Sequence, residues 1–403
     1  MQRQDCFAIY EEARGHIIQL QKRTLPSKQI QSPSNKFNRS NMSLPTKSRQ
    51  WVLSQHPKTK PTYSTKPDAD TTFVLKEEAI PDLRDNQVLV KTLFLSNDPA
   101  QRGWIASPDD IPPERLYVPP VQLGTPMRAR GLAKVLKSTS PDYNEGDVVQ
   151  GSVNWREYAI FDVKKEGEML RKVQPLPGGL SITHYLGALG TTGLTAYYGI
   201  TDIAGLKKGE RVVVSGAAGA TGSMVVQIAK HIIGASQVIG IAGTDEKCRW
   251  VESLGADKCL NYKAADFEKQ LKHATGQKTD VFFDNVAGTI LDAMLPNMAM
   301  HGRVAQCGAI TGYNGEDAEP IKNYFQIITM RLQIKGFIIL DALHRANEMI
   351  KTLVGALQEG KLKIGEENET VVDTTKAGGF EDIPKTWLRL FEGANQGKLV
   401  TKL

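Results

Sequence analysis

The most constraining feature of this chain is a run of small residues between a strand pattern and a helix pattern. Ser215-Gly-Ala-Ala-Gly-Ala-Thr-Gly-Ser223 follows the apolar segment Arg211-Val-Val-Val and precedes apolar residues at helical spacing. Glycine recurs in it at every third position, 216, 219 and 222. In this setting the first glycine allows a tight turn, the second lets the backbone approach a pyrophosphate, and the third lets the helix pack on its strand. The spacing therefore predicts a strand–turn–helix unit that binds a dinucleotide.

The start of the predicted helix supplies the groups that would meet the phosphates. Free backbone N–H groups and a partial positive charge lie at a helix N-terminus, and both favour anions. The residues predicted to line this cradle are Gly216, Ala218, Gly219, Ala220, Thr221 and Gly222. The alternative interpretation is a plain turn that needs small residues only for packing. A Walker-type phosphate loop is excluded because no Gly-Lys-Ser/Thr follows.

The end of the next strand bears on which dinucleotide binds. In NAD-binding folds an acidic residue there accepts a hydrogen bond from the ribose 2′-hydroxyl. Here Gly243 occupies the expected position, and Asp245, two places further on, could be read as that acid. Lys247 and the Tyr262 hydroxyl, with Lys263 beside it, would suit a 2′-phosphate instead. We therefore expect NADP(H), with an exposed helix lysine as the alternative interpretation of Lys247.

The order of strand and helix patterns predicts an α/β fold with two domains. A chain of 403 residues exceeds what one core usually serves. Short strands with proline-rich turns indicate a mostly β domain over residues 46–175. Strand–helix alternation indicates a doubly wound parallel sheet over residues 176–345. We expect residues 346–403 to return to the first domain. The predicted strands are 50–53, 87–95, 131–137, 211–215, 237–242, 280–285 and 302–308, and the predicted helices are 222–233 and 246–254.

Residues 1–45 differ from the rest and are predicted to be a disordered extension. Seven Lys/Arg against three Asp/Glu in residues 1–41 contribute +4 of the chain's net charge of +6. The remaining +2 does not suggest a nucleic-acid partner. No stretch approaches the roughly 18 apolar residues of a membrane span, and no secretory core is present. We expect a cytoplasmic protein whose scattered cysteines are reduced thiols without a metal.

Several further stretches, in their order along residues 50–403, match one family. They are Ser96-Asn-Asp-Pro-Ala-Gln-Arg102, Leu186-Gly-Ala-Leu-Gly-Thr-Thr-Gly-Leu-Thr-Ala-Tyr197, Gly243-Thr-Asp-Glu-Lys-Cys248, Asn261-Tyr-Lys263, Asp284-Asn-Val-Ala-Gly288, Cys307-Gly-Ala-Ile-Thr-Gly-Tyr-Asn314 and Asn395-Gln-Gly-Lys398. With the glycine-rich turn, they resemble the zinc-independent medium-chain dehydrogenases/reductases. The resemblance is to the branch of NADP-dependent alkenal/one double-bond reductases and prostaglandin reductases.

The resemblance implies a fold, a cofactor and a set of site residues. The fold would be a GroES-like substrate domain and a Rossmann dinucleotide-binding domain with the active site between them. NADPH would be the cofactor, an enal or enone the substrate, and a homodimer the assembly. Tyr313 is similar to the tyrosine that points at the substrate carbonyl. The cofactor contacts that the resemblance adds are Thr192, Lys247, Tyr262, Asn285, Cys307, Phe337 and Asn395.

The implied chemistry is hydride addition to a conjugated carbonyl compound. Hydride reaches the β-carbon, negative charge develops on the carbonyl oxygen, and Tyr313 would donate a hydrogen bond to that oxygen. Read without the resemblance, Tyr313 is a loop tyrosine that caps a turn beside Asn314. Metal ligands are not expected, because no cysteine lies in the first domain and His184 is interpreted as structural. The proton for the α-carbon could come from Tyr313 or from water.

At two places the sequence departs from the family, and these departures leave the identity of the substrate undetermined. Ala100-Gln101 stands where the family often has Tyr-Met, and Thr191-Thr192 stands where it often has Met-Pro. Both changes border the expected substrate pocket. The alternative functions are a quinone reductase or a secondary-metabolism dehydrogenase/reductase on the same scaffold. A non-catalytic NADPH-binding or RNA-binding protein is an alternative from another class.

Overall fold

Strands of alternating or continuous apolar residues form three sheets in this protein. The computed structural model describes residues 44–165, 170–315, 320–375 and 378–403. The predicted N-terminal extension, residues 1–45, lies outside the described residues except for its last two positions. Within the described ranges the architecture confirms the predicted α/β class, with mixed β sheets in one part and a helix-flanked parallel sheet in the other.

The first part of the chain contributes mainly strands. In chain order they are β1 (Lys47–Leu53), β2 (Tyr63–Ser64), β3 (Phe73–Ala79), β4 (Gln87–Ser96), β5 (Gly131–Ser138), β6 (Val148–Gly151), β7 (Tyr158–Asp162) and β8 (Arg171–Lys172). The end of the chain adds β15 (Glu369–Asp373) and β16 (Lys398–Lys402). One sheet has the order β15-β16-β4-β5-β6-β8, with β7 paired to β4, and a smaller sheet has the order β1-β3-β2.

Aromatic side chains fill the core beneath these sheets. Trp51, Trp155 and Trp387 are fully buried. The Trp155 ring lies 4.9 Å from that of Phe73 and 5.7 Å from that of Trp387. Burial of such rings is a major source of core stability, and edge-to-face contact adds to it. Residues from the end of the chain therefore complete the core of the first domain.

The second part of the chain forms the parallel sheet. Its strands are β9 (Arg211–Val214), β10 (Gln237–Ala242), β11 (Lys258–Asn261), β12 (Thr279–Asp284), β13 (Met298–Gln306) and β14 (Gln333–Gly336). They pair in the order β11-β10-β9-β12-β13-β14. The chain runs outward from β9 to β11 and then crosses back to β12, so the strand order reverses between β9 and β12. Ligands of open parallel sheets bind at such a switch point.

Helices cover both faces of the parallel sheet and link the domains. They are α1 (Thr191–Tyr198), α2 (Ala220–Gln227), α3 (Asp245–Ser253), α4 (Phe267–Thr275), α5 (Gly288–Met294), α6 (Phe325–Thr329), α7 (Ala346–Gln358) and α8 (Ile383–Leu388). Single 3₁₀ turns or short 3₁₀ segments occur at Pro99–Ile105, Pro113–Arg115, Pro177–Gly179, Ile182–Leu186, Leu295–Asn297, Ile310–Gly312, Ile339–Arg345, Glu366–Asn368 and Gly379–Asp382. None of the helices built from described residues combines the length and apolar content that crossing a bilayer requires.

The predicted elements overlap the observed ones, but several of their ends differ; β1, for example, begins at Lys47 rather than at residue 50. The helix predicted to run to Ile233 is α-helical only to Gln227 and continues as a π-helix over Ile228–Ile233, before Gly234 stops it with φ 82°. Strand β13 begins at Met298, earlier than the predicted residue 302. The short strands β11 and β14 were not predicted, because four residues carry too little periodic signal.

The segment predicted as the return, residues 346–403, divides between the two domains. Leu353 and Ala356 of α7 are buried in the core that includes Val225 and Phe283 of the parallel-sheet domain. The chain enters the seven-stranded sheet only at β15. From there β15, β16 and α8 belong to the first domain, and this path carries Asn395 past the glycine-rich turn.

Candidate active site

The glycine-rich turn has the geometry that its spacing predicts. Gly216 has φ +56°, in the left-handed region that favours glycine, and the N–H of Gly219 donates to its carbonyl oxygen at 2.9 Å. A Cβ atom on Gly222 would lie 2.3 Å from that same oxygen. Helix α2 therefore begins at Ala220 pressed against the turn. Its first N–H groups face the end of β9, where a phosphate could bind.

A buried carboxylate organises the loop after β12. Asp284 accepts hydrogen bonds from the Ser215 hydroxyl at 2.6 Å, from the Val286 and Ala287 N–H groups at 2.9 Å and 3.1 Å, and from Gln306 Nε2 at 3.0 Å. These bonds hold Ala287 at φ 63°, which is unfavourable for a residue with a Cβ atom. The loop is thereby fixed across the switch point from the glycine-rich turn.

Asn285 is the residue that this loop presents to the turn. Its side-chain Nδ2 donates to the Ser215 carbonyl oxygen at 2.7 Å, and its N–H donates to the Ser215 hydroxyl at 2.8 Å. A Cβ atom on Gly216 would lie 3.4 Å from the Asn285 Cβ. The two predicted cofactor residues are therefore neighbours, at the point where the sheet order reverses.

The end of the chain forms the third wall of the cradle. The N–H of Gly397 donates to the Ala218 carbonyl oxygen at 2.9 Å, and Asn395 Nδ2 donates to the Gly397 carbonyl oxygen at 2.9 Å. Lys247 Nζ donates to the Gly393 carbonyl oxygen at 2.6 Å. Asn395 is therefore brought to the glycine-rich turn by a segment that both Ala218 and Lys247 hold.

A pair of lysines marks the other end of the cradle, beyond β10. The pKa of Lys247 is lowered, first by burial and then by the nearby charge of Lys263. Neither ammonium group forms an ion pair with a carboxylate of residues 44–165, 170–315, 320–375 or 378–403. Two unneutralised cations side by side form a site that a dianionic phosphate would stabilise.

Tyr262 occupies the space where an acidic residue would stand in an NAD site. A Cβ atom on Gly243 would lie 3.0 Å from Tyr262 Cε1 and 3.2 Å from its hydroxyl oxygen. Asp245, the other candidate acid, accepts a hydrogen bond from Asn261 Nδ2 at 2.8 Å. The ring of Tyr262 thus leaves little room for a larger residue at position 243, and the residues present fit a 2′-phosphate.

A cavity of about 540 Å³ opens beside Tyr262. Its lining comes from the loop after β11, the first turn of α4 and the first turns of α5, and it includes Phe267, Thr289 and Ile290. The cavity lies at the C-terminal ends of the parallel strands. It has the size and the mixed polar and apolar walls that suit the adenosine end of a dinucleotide.

Tyr313 follows the 3₁₀ turn Ile310–Gly312, in the segment after β13. Burial above all raises the pKa of its phenol; the Ala309 N–H, which donates to the hydroxyl oxygen at 3.3 Å, opposes this rise. The thiol of Cys307 and the phenol of Tyr117 raise it further. Burial also raises the pKa of Cys307 to about 12, so this thiol is neutral. Tyr313 is therefore a neutral hydroxyl donor at a half-buried position.

Two further predicted cofactor residues, Thr192 and Phe337, pack inside the dinucleotide domain. Thr192 is buried in the first turn of α1, which packs on α2. The ring of Phe337 follows β14 and makes ring contacts with Tyr198 at 5.8 Å and Phe283 at 6.1 Å, rather than with Tyr313. Their contacts are with the helices and strands that carry the site.

Two groups that the structure brings to the switch point were not among the predicted site residues. Asp284 and Ser215 form the hydrogen bond that ties β12 to β9. The signal for Asp284 was present, since an acidic residue at the end of a buried strand requires several donors.

His184, interpreted as structural, has a buried partner. Its Nδ1 lies 2.9 Å from a carboxylate oxygen of Glu369, and the Thr183 hydroxyl donates to the other oxygen of that carboxylate. Within the described parts of the chain, no three His, Cys, Asp or Glu side chains are grouped so that they could hold a metal ion. The residues present therefore do not fit a zinc site.

Known proteins are similar to this chain over most of its length. A family model described as the N-terminal domain of oxidoreductase matches residues 49–172, and one described as zinc-binding dehydrogenase matches residues 220–357. The NADPH-dependent curcumin reductase of Escherichia coli is 34% identical over 364 residues, which are 89% of this chain and 97% of that protein. The NADP⁺-dependent 2-alkenal reductase of Nicotiana tabacum is 37% identical over 317 residues, covering 78% and 87% respectively.

A solved structure agrees with the same assignment. CurA from Vibrio vulnificus in complex with NADPH superposes with a TM-score of 0.74 and 31% identity, over 88% of this chain and 98% of that one. Similarity of this extent shows the family, and the glycine-rich turn agrees with it. The chain belongs to the zinc-independent medium-chain dehydrogenase/reductase superfamily, in the branch of NADP-dependent alkenal reductases.

Proposed function

We propose that this protein uses NADPH to reduce the C=C bond of α,β-unsaturated aldehydes and ketones. The observation that carries the proposal is the half-buried Tyr313 phenol, which accepts a hydrogen bond from the Ala309 N–H and, among the described residues, donates its own O–H to no acceptor. Such a group suits the carbonyl oxygen of a conjugated substrate, where negative charge develops during hydride addition. The relatives named above act as NADP-dependent reductases and support this assignment.

The cofactor is proposed to lie along the cradle from Lys247 to Asn285. The pyrophosphate would meet the backbone of Gly216, Ala218, Gly219, Ala220, Thr221 and Gly222. Lys247, Lys263 and Tyr262 would hold the 2′-phosphate, and the Tyr262 cavity would hold the adenosine. Asn285, Asn395, Cys307, Thr192 and Phe337 are proposed to surround the ribose and nicotinamide end. When bound, NADPH supplies the hydride.

The protein's own residues then have two tasks. The walls of the cradle position the two reactants, and this replaces an unfavourable encounter by a fixed geometry. Tyr313 donates its hydrogen bond to the carbonyl oxygen, and a donor of this kind typically stabilises the transition state by about 3–4 kcal/mol. Because the thiol of Cys307 is neutral, no negative charge at that position opposes the developing enolate. The α-carbon receives its proton from Tyr313 or from water.

The experiment that tests this function is NADPH consumption by the purified protein with separate panels of enals, enones and quinones. We expect turnover with enals or enones, and saturated products by mass spectrometry. The Tyr313→Phe variant should lose most of kcat/KM but bind NADPH normally, whereas Tyr63→Phe, on β2, should behave like the unchanged protein. Turnover with quinones alone would support the quinone reductase instead. Tight NADPH binding without turnover would support a non-catalytic binding protein.

A homodimer is proposed to form through the free edge of the parallel sheet. All four residues of β14 are exposed, and they lie beside a patch of exposed apolar side chains, Met300, Tyr324, Phe325, Ile328 and Ile334. Phe325 alone is 67% exposed. An unprotected edge strand beside apolar surface favours pairing with another strand, and a two-fold axis would pair β14 with a second copy of itself.

The site of action is proposed to be the cytoplasm. Cys248 and Cys259 are free thiols in close electrostatic contact, with the Cys259 S–H lowering the pKa of Cys248. Adjacent thiols of this kind persist where the surroundings are reducing. Fractionation of cells that express the protein would test the assignment.

A further inference from the structure

Thr311 lies two positions before Tyr313 and carries a hydroxyl that the proposed mechanism does not use. Its Oγ1 donates a hydrogen bond to the Val286 carbonyl oxygen at 2.8 Å. Val286 directly follows Asn285 in the loop after β12. The bond therefore ties the 3₁₀ turn Ile310–Gly312, which leads into Tyr313, to the loop proposed to meet the nicotinamide end of the cofactor.

A glycine makes room for this contact. Gly288, the first residue of α5, has φ +55°, and a Cβ atom on it would lie 3.1 Å from Thr311 Oγ1. The Thr311 N–H also faces the Val286 carbonyl oxygen, at 3.5 Å. One residue of the turn thus meets the loop through both its side chain and its main chain.

The Tyr313 hydroxyl lies against the same loop. A Cβ atom on Gly308 would lie 3.1 Å from the Asn285 carbonyl oxygen and 3.4 Å from the Tyr313 hydroxyl oxygen. The phenol and the main chain of Asn285 are therefore both within contact distance of one point beside Gly308. The Ala309 N–H, which donates to the hydroxyl oxygen at 3.3 Å, directs the phenol to this place.

The far end of the turn lies against the first domain. Gly315 has φ +70°, and a Cβ atom on it would lie 2.6 Å from the Lys58 carbonyl oxygen. The segment that contains this carbonyl is itself fixed, because the buried Arg102 guanidinium donates to the Pro57 carbonyl oxygen at 3.0 Å and to that of Thr59 at 3.2 Å. Contacts hold the turn at both ends, so removing one hydroxyl should shift it rather than unfold it.

We propose that Thr311 is a positioning residue, whose hydroxyl sets the distance between the Tyr313 phenol and the nicotinamide end of the cofactor at Asn285. This inference rests on the proposed double-bond reduction. A hydrogen-bond donor stabilises the developing charge only where its geometry matches, and a misplacement of about 1 Å can cost on the order of 10²-fold in rate. Thr311 is exposed, so water can replace part of its bond, and the loss should be smaller than this.

The test compares Thr311→Val, which removes the hydroxyl, with Thr311→Ser, which keeps it. We expect Thr311→Val to lower kcat with an enone about 3- to 10-fold, as loss of one hydrogen bond does. Thr311→Ser should stay within about twofold of the unchanged protein, because the bond to Val286 can still form. Kd for NADPH should be unchanged in both, since the phosphate cradle is untouched.

The matched control is Thr352→Val. The Thr352 hydroxyl donates to the Glu348 carbonyl oxygen at 3.1 Å within α7, so the same bond type is lost away from the site. Its kcat should equal that of the unchanged protein. An equal loss of kcat in Thr311→Val and Thr311→Ser would overturn the assignment, because the hydroxyl would then not be the group that acts.

A double-variant cycle separates positioning from a purely structural role. If Thr311 acts through the phenol, Thr311→Val should have no further effect in a protein that already carries Tyr313→Phe. Single turnovers with the protein in excess over the enone keep this slow variant measurable. The same fold loss in both backgrounds, or no loss in either, would show that Thr311 serves only the fold. Failure of the proposed function looks different, because the unchanged protein would then consume no NADPH with any enal or enone.

Discussion

The ammonium group of Lys247 donates a 2.6 Å hydrogen bond to the carbonyl oxygen of Gly393, across 146 positions of sequence. This bond joins the edge of the dinucleotide domain to the segment that carries Asn395. It occupies one of the three donors of the ammonium and leaves two for a ligand. The residue proposed to recognise the 2′-phosphate thus also holds the segment proposed to meet the nicotinamide end.

Replacing Lys247 by Ala should weaken NADPH binding selectively. Loss of a charge-assisted bond to phosphate costs about 1.5–3 kcal/mol, so we expect roughly a 10- to 100-fold increase in Kd for NADPH. Kd for NADH should change far less, because NADH has no 2′-phosphate. Lys351→Ala, on the exposed side of α7, removes the same charge as a control. Calorimetric titration with both dinucleotides measures the difference, and equal losses for the two would reject the phosphate assignment.

Replacing Gly222 by Ala should destabilise the fold and the cradle together. The new Cβ would lie 2.3 Å from the Gly216 oxygen and 2.8 Å from the Ala217 Cα, so the backbone must move. Overpacking of this kind typically costs about 1–3 kcal/mol. Gly355→Ala in α7 is the matched control, since its Cβ meets no atom within 4 Å.

The control should raise the free energy of unfolding by about 0.5–1 kcal/mol through helix propensity. Urea unfolding of both variants gives the comparison. If both substitutions changed the free energy of unfolding in the same direction, the close approach of α2 to the turn would be contradicted.

Replacing Asp284 by Asn should loosen the loop after β12. A carboxamide places an NH₂ donor where Ser215, Ala287 and Gln306 present donors to a carboxylate. At least one buried group then lacks a partner, at a cost of about 2–3 kcal/mol. We expect a lower unfolding midpoint and weaker NADPH binding, measured by thermal unfolding with and without cofactor. Asp341→Asn, at an exposed position, should change neither, and unchanged NADPH affinity in Asp284→Asn would separate the loop from the cofactor site.

The alkaline limb of the reaction should lie above the usual pKa of tyrosine, about 10. The protonated phenol of Tyr313 is the donor, so kcat falls only when pH rises through its pKa. Because burial raises that pKa, kcat at saturating NADPH and enone should stay level through pH 9 and decline beyond about 10. A decline that begins near neutral pH, and that persists in Tyr313→Phe, would assign the titration to another group.

A charge introduced at the β14 edge should separate the proposed homodimer. Ile328→Lys and Ile334→Lys each place an ammonium in the exposed apolar patch, and burying it would cost several kcal/mol. Light scattering coupled to gel filtration should show a mass falling from about two chains to one. Val371→Lys, on β15 at the edge of the other sheet, is the control and should leave the mass unchanged. A monomeric unchanged protein would contradict the proposal outright.

Patterns within a few residues were sufficient to predict most of the parallel-sheet domain. Strand β10 was predicted at its observed bounds, and α3 within one residue at each end, because apolar periodicity and stop signals are local. The four-residue strand β14 was not predictable, since its residues are exposed and pair with β13 only through the tertiary fold. The packing of α7 on the parallel-sheet domain was missed for the same reason.

By itself, the sequence determined the glycine-rich turn, the start of α2 and the absence of an acid at position 243. These features depend on backbone conformation and on residue size within one strand–turn–helix unit, so their signals lie within about ten residues. Only the tertiary structure decided that Asp284 binds Ser215, that Lys247 holds Gly393 and that Gly397 binds Ala218. Such pairs are set by how distant segments pack, and packing distances between segments far apart in a chain leave no periodic trace in the sequence.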